Sequence, residues 1–189
     1  MKIKNKDILG VKYGEFCPNC YSDKIQRREN SFFCPQCKKT SPRLLIIDDK
    51  LNYWVDEEGN YWHESVGVVI QNKKKEILLI KLDKFPFGYS IPAGHVDKGE
   101  DPRDAAKREV LEEVGLNLDN FTLVKNEDLT NDSCRRGADH HRWHLYRAVT
   151  GNKDVKINHE SSGFFWVKPK EALKLKLADT ARHLLLGMK

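Results

Sequence analysis

Gly94-His95-Val96-Asp97-Lys98-Gly99-Glu100-Asp101-Pro102-Arg103-Asp104-Ala105-Ala106-Lys107-Arg108-Glu109-Val110-Leu111-Glu112-Glu113-Val114-Gly115-Leu116 is the most informative run in the chain. Its second half predicts a helix from about Pro102 to Val114. Asp101 can cap the start, Pro102 suits the first helical position, and Gly115 fits the stop. Ala106, Val110, Leu111 and Val114 are expected to form the buried stripe. Glu109, Glu112 and Glu113 sit three and four residues apart and share one arc of the surface. Like charges so placed oppose each other by about 0.2–0.5 kcal/mol per pair. Either that face is simply solvated, the usual fate of a charge run, or something positive neutralises it. Oxygen-only ligands on one face suit Mg²⁺ or Mn²⁺, which keep waters and accept substrate phosphate oxygens as further ligands. Arg108 stands beside them and could pin one carboxylate by a bidentate contact.

The full pattern decides between the two. Read as Gly-x5-Glu-x7-Arg-Glu-apolar-x-Glu-Glu-x-Gly-apolar, residues 94–116 resemble the Nudix box at every specified position. A chance match of that kind is on the order of 10⁻⁹ per window at typical residue usage. The resemblance extends on both sides of the box. Ser65 to Leu82 reads as two apolar strands around the polar turn Gln71 to Lys75, and Tyr89 to Gly94 resembles the strand that leads into the box. Glu160 to Val167, then Glu171 and Ala172, are similar to the family's closing strand and helix. A terminal helix is expected over Ala178 to Met188, where Leu184, Leu185 and Leu186 need a partner, either the sheet or a second subunit.

Outward from this region the composition changes. The chain has 189 residues, 39% of them hydrophobic and 32% charged, which suits a folded protein and excludes wholesale disorder. The longest apolar runs are five residues, as in Val66 to Ile70 and Leu184 to Met188, against about 20 for a membrane span. The opening Met1-Lys2-Ile3-Lys4-Asn5-Lys6 has no apolar core behind it and does not read as a secretory signal, so a cytoplasmic location is expected. Net charge is +5, and all of the excess lies in residues 1–50, which hold 11 Lys/Arg and 6 Asp/Glu.

The same segment carries Cys17-Pro-Asn-Cys20 and Cys34-Pro-Gln-Cys37. Two such knuckles brought together by a hairpin give the four-sulfur site that zinc prefers. Two disulfides are the competing reading, but they belong with export. A fragment this small buries too little core to fold alone, so Zn²⁺ is expected to hold it together, with no coordination position left for substrate. Lys24, Arg27, Arg28, Lys38, Lys39 and Arg43, with Tyr21, Phe32 and Phe33 interleaved, also resemble a single-strand nucleic-acid surface. The plainer reading is that the aromatics cap a small core and the charges keep it soluble.

The resemblance implies a Nudix α/β/α sandwich around a mixed sheet over residues 62–189, preceded by a zinc ribbon at 1–45 and a connecting hairpin at 46–61. The Tyr53, Trp54, Tyr61 and Trp62 aromatics of that hairpin could stack on a base, though packing is the expectation. By resemblance, Gly94 (through its carbonyl), Glu109, Glu112 and Glu113 would bind Mg²⁺ or Mn²⁺. Arg108 and Glu100 would orient the carboxylates, and the general base would be Glu112, Glu113 or Glu160. The implied reaction is hydrolysis of a diphosphate linkage in a nucleoside diphosphate derivative, with a nucleotide-derived small molecule as partner. A nucleotide-sensing or nucleic-acid-binding module is the alternative. An isomerase on the same fold is a third reading, for which Cys134 is the one cysteine available. The ribbon narrows the resemblance to the NADH pyrophosphatase-like group, whose Ser-Gln-Pro-Trp-Pro-Phe-Pro-like stretch is absent from residues 126–136. Cys134, followed by Arg135 and Arg136, reads as part of a solvated polar loop. His141 and His144 fall on opposite faces of the strand expected over Arg142 to Thr150.

Overall fold

A computed structural model describes residues 9–29, 31–83, 86–152 and 154–187. The basic start, Met1 to Lys6, and Met188 lie outside the described residues. The chain divides into two compact units, residues 1–64, 97–99 and 128–142 in the first and 65–96, 100–127 and 143–189 in the second.

In the first unit β1 (Tyr13–Phe16) pairs antiparallel with β5 (Leu45–Asp48), and β2 (Gln26–Arg28), β3 (Ser31–Cys34) and β4 (Lys39–Ser41) form a three-stranded sheet. Each cysteine knuckle ends on a residue with left-handed backbone, Tyr21 (φ 59°) and Lys38 (φ 57°). β6 (Tyr53–Val55) pairs with the start of β7 (Tyr61–Asn72), Trp54 opposite Trp62. The turn between them is built on Asp56. Its carboxylate accepts from the Asn60 amide N–H at 2.8 Å, from Asn60 Nδ2 at 2.8 Å and from Trp62 Nε1 at 2.8 Å. Burial alone would raise the pKa of Asp56, but those donors draw it down to about 2. Leu45, Ile47, Tyr61 and Ala138 make the core of this unit, with Phe16, Tyr53 and Val55 packed on it.

The second unit holds helices and most of a mixed sheet. Its strand order is β11 (Thr122–Leu129), β12 (His140–Thr150), β7, β8 (Ile77–Leu82), β13 (Ser161–Val167). Two short strands, β9 (Gly88–Ser90) and β10 (Ala93–His95), pair with β8 and β7. β7 is apolar on both faces because both are covered. Val66, Val68 and Ile70 pack with Ala106, Val110 and Val114 of helix α1 (Pro102–Val114). On the opposite face, a Cβ placed on Gly67 would touch Leu184 of the terminal helix at 3.4 Å. A short α2 (Pro169–Ala172) follows β13, and the terminal helix is α3 (Asp179–Leu186). Helix, sheet, helix is the sandwich expected.

Helix α1 starts and stops where its caps dictate. Asp101 accepts from the Arg103 N–H at 2.8 Å, and Gly115 takes the left-handed conformation (φ 67°) and donates to the Leu111 carbonyl at 3.0 Å. The buried stripe needs one correction. Leu111 is 53% exposed, and Ala105 is buried in its place. At about 100° per residue Leu111 falls about 140° from Ala106, beyond the arc the sheet covers. In α3, Leu184 and Leu185 are buried, but Leu186 stands exposed. No helix among the described residues is long and apolar enough to cross a membrane.

Candidate active site

Glu112, Glu109 and Glu113 fan across about 100° of helix α1, from its exposed side toward the sheet. Glu113 is 9% exposed, Glu109 is largely covered, and the Glu112 side chain is open to solvent. One oxygen of Glu113 accepts from the Ala93 N–H at 2.9 Å. The Glu109 carboxylate lies directly over Gly94, so close that a Cβ there would collide with it. Only glycine leaves that space, so strand β10 brings the backbone of Gly94 into the carboxylate group.

Arg108 ties the cluster together. Its guanidinium donates through Nε and Nη2 to the two oxygens of Glu100, at 3.0 and 2.9 Å, the fork geometry that arginine provides. Nη1 donates to Glu109 Oε1 at 2.7 Å and lies 3.6 Å from Glu112 Oε2, while Nη2 also donates to the His95 carbonyl at 3.0 Å. These carboxylates hold the guanidinium proton more firmly than usual, Glu100 foremost.

One arginine does not balance this much negative charge. Burial, followed by the charges of Glu109, Glu160 and Glu112, pushes Glu113 up to about 8, although the Ala93 N–H pulls the other way. Glu109 is also raised, by burial above all, against the pull of Arg108. Glu160 reaches this field because its loop docks on the end of α1. The Lys156 N–H donates to the Val114 carbonyl at 3.0 Å and the Asn158 N–H to the Glu113 carbonyl at 3.2 Å. The structure thus brings together Gly94, Glu100, Arg108, Glu109, Glu112, Glu113 and Glu160. Several carboxylates at a half-buried site, each making ionisation of the next harder, fit a hard divalent cation.

In the first unit the four knuckle cysteines converge. Cys17 and Cys37 Sγ are 3.6 Å apart, as are Cys20 and Cys34, and all four sulfurs lie within 4.8 Å of one another. None is in a disulfide. With Zn–S bonds of about 2.3 Å, a tetrahedral four-thiolate site has sulfurs about 3.8 Å apart, so the spacing fits zinc. Burial pushes the Cys20 thiol up, while the backbone N–H of Cys37 draws that of Cys34 down.

Several of the aromatic and basic residues around the knuckles have partners. Arg27 covers Phe32 and pairs with Glu15, and Arg28 lies 4.6 Å over Phe33. Arg43 Nη2 donates to Asp139 at 3.2 Å. The hairpin aromatics pack as expected, with Trp54 stacked on Trp62 at 5.5 Å and Arg142 over Trp54.

Cys134 is a correction. Its segment turns back on itself, the Gly137 N–H donating to the Cys134 carbonyl at 3.1 Å. This half-buries the thiol against the core, 3.7 Å from His63 Nδ1. Arg136 reaches Asp48 at 3.4 Å. His141 and His144 do face apart, His141 Nδ1 toward the Asp132 carbonyl at 2.6 Å and His144 Nδ1 toward Asn126 Oδ1 at 2.9 Å. The meeting of His63, Cys134 and His141 was not legible. His63 lies 71 residues before Cys134, and strand alternation could place only His141 and His144.

The NUDIX domain family model matches residues 61–187. Nucleoside triphosphatase NudI of Escherichia coli O81 (strain ED1a) is 30% identical over 126 residues, covering 62% of this chain and 89% of its own length. The asymmetrical bis(5'-nucleosyl)-tetraphosphatase of Caenorhabditis elegans is 29% identical over 115 residues, 59% of this chain and 83% of the other. Among solved structures, the C. elegans Ap4A hydrolase in a binary complex aligns with a TM-score of 0.53 and 27% identity over 66% of this chain and 93% of that one.

Proposed function

This chain belongs to the NUDIX domain family, and from that premise we propose that it is a pyrophosphohydrolase cleaving a diphosphate linkage in a nucleoside diphosphate derivative. The observation that carries the reading is the buried convergence of Glu109, Glu113 and the Gly94 backbone, with Glu112 at its open edge. That arrangement is unfavourable without a cation. Residues 62–189 would be the catalytic domain, joined by the 46–61 hairpin to a zinc ribbon at 1–45.

In this reading Glu109, Glu112, Glu113 and the Gly94 carbonyl would hold Mg²⁺ or Mn²⁺. The cation would supply charge withdrawal from the phosphate oxygens and activation of water. Phosphoryl transfer depends mainly on positioning and electrostatic stabilisation, and this chain's own residues provide both. Arg108, clamped between Glu100 and Glu109, sets the direction in which the Glu109 oxygens point. The Ala93 N–H fixes one oxygen of Glu113. Glu112, exposed beside them, can accept a proton from an attacking water, with Glu113 and Glu160 as the other candidates for that role. The Cys17, Cys20, Cys34 and Cys37 group would hold Zn²⁺ in a purely structural role.

The substrate is expected among dinucleotides, ADP-ribose and nucleotide sugars. The names of the relatives point to a dinucleoside polyphosphate and a nucleoside triphosphate as the first compounds to try. The test is a panel of these compounds, nucleoside triphosphates and capped RNA with Mg²⁺ or Mn²⁺, comparing the native protein with Glu112→Gln. Turnover of at least one compound is expected, falling by orders of magnitude in the variant at unchanged melting temperature. No cleavage across the panel, or equal turnover in the variant, would overturn the reading.

A further inference from the structure

His63 on β7 and His141 on β12 occupy neighbouring strands, and both are buried, at 0% and 3% exposure. The turn from Cys134 to Gly137 delivers the Cys134 thiol to the same place. Its Sγ lies 3.7 Å from His63 Nδ1, and one ligand atom from each of the three side chains lies within 4.8 Å of the others. In a tetrahedral site with Zn–S of about 2.3 Å and Zn–N of about 2.0–2.1 Å, sulfur and nitrogen stand about 3.6 Å apart. The spacing of this pair is that of two ligands on one ion.

A second observation concerns His141. Its Nδ1 lies 2.6 Å from the Asp132 carbonyl, with the Asp132 carboxylate at 3.3 Å. A carbonyl only accepts, so Nδ1 carries the hydrogen and Nε2 is the nitrogen available for coordination. Zinc-ligating histidines are held in this way, the second nitrogen donating to a carboxylate or carbonyl that fixes the ring. One thiolate and two imidazoles form a borderline-soft set, suited to zinc and poorly matched to the hard cations of the carboxylate site.

We propose that His63, Cys134 and His141 supply ligands to a second zinc site, distinct from the four-cysteine cluster. Zinc enters as Cys134 loses its thiol proton. The bound ion ties the irregular 130–139 segment to two strands of the sheet, so its role is to order that segment. The phosphohydrolase chemistry proposed above uses none of these three side chains.

The test is metal stoichiometry of the full-length protein, expressed with zinc and desalted, by inductively coupled plasma mass spectrometry. Native protein is expected to carry two zinc ions per chain. Cys134→Ser and the Cys17→Ser/Cys20→Ser double variant are each expected to carry one. A native value of one, or an unchanged count in Cys134→Ser, overturns the proposal. Should Cys134→Ser fail to fold, ¹¹³Cd NMR of the cadmium-substituted native protein decides. Two resonances are expected, one from an all-sulfur site and one from a nitrogen-rich site, and a single all-sulfur resonance refutes the second site.

Discussion

Replacing Gly94 with alanine adds one methyl group and no charge. At this position the methyl would land on the Glu109 carboxylate. Carbon contacts settle at about 3.5–4.0 Å, so the carboxylate must retreat by roughly an ångström or more. The backbone of Gly94 lies in an ordinary strand, paired with Val66, and only the end of a flexible side chain has to move. Stability should therefore hold, with the melting temperature shifted by no more than about 2–4 °C, the equivalent of about 1 kcal/mol at this chain length. Activity should not. A misplacement of about 1 Å at a catalytic constellation costs on the order of 10²-fold, or about 2.7 kcal/mol of barrier. The assay is kcat/KM at saturating Mg²⁺ on whichever compound is turned over, beside Mn²⁺ affinity by calorimetry and a thermal melt. A double-mutant cycle with Glu109→Gln isolates the route, since Gly94→Ala should cost much less once Glu109 no longer carries the charge. Gly94→Ala with kcat/KM within twofold of native and unchanged Mn²⁺ affinity would refute the assignment of Glu109 and Gly94 to one cation site.

Arg108→Lys keeps the charge but loses the fork to Glu100. A fall in kcat/KM of about 10–100-fold is expected, and a value within twofold of native would refute the positioning role of Arg108. Metal-free Glu113→Gln should melt above the native protein at pH 8.5, with the gap closing by pH 5. The sign follows from a folded-state value raised from 4.5 to about 8, so ionising Glu113 opposes folding as pH rises through that window. Saturating Mg²⁺ should narrow the gap at pH 8.5, and a gap independent of pH would count against the charge argument. Asp56 works in the opposite direction. Its depressed value of about 2 means that its contribution is present above about pH 4 and is lost as pH falls toward 2. Melting curves of Asp56→Asn should be flatter than native over that range, and parallel curves would refute the stabilising role of its bonds to Asn60 and Trp62.

Features set by local chemistry were legible in the sequence. Asp101, Pro102 and Gly115 bound a helix through hydrogen bonds within one turn of each end, and the carboxylate spacing follows from helical periodicity. The paired Cys-x-x-Cys knuckles are local in the same sense. Leu111 was misplaced because a helix does not announce how wide an arc the sheet will cover. Cys134 was misjudged because polar neighbours describe a segment's average surroundings, while one turn closed by Gly137 decides where a single thiol points. The Gly94–Glu109 contact joins a strand to a helix, and a pattern of residue types names both without saying that they touch.

The docking of residues 156–158 onto the last carbonyls of helix α1 links Glu160 to that helix through main-chain bonds. Two consequences follow for the motions of the protein. The amides of Lys156 and Asn158 are protected only while the helix end is intact, so their hydrogen exchange should slow and quicken together with that of Gly115. Fraying at Val114 would release the Glu160 loop as well as the Glu113 end of the carboxylate row. The last turn of α1 and the Glu160 loop therefore form one cooperative opening unit, and amide exchange at Lys156 reports on the integrity of both.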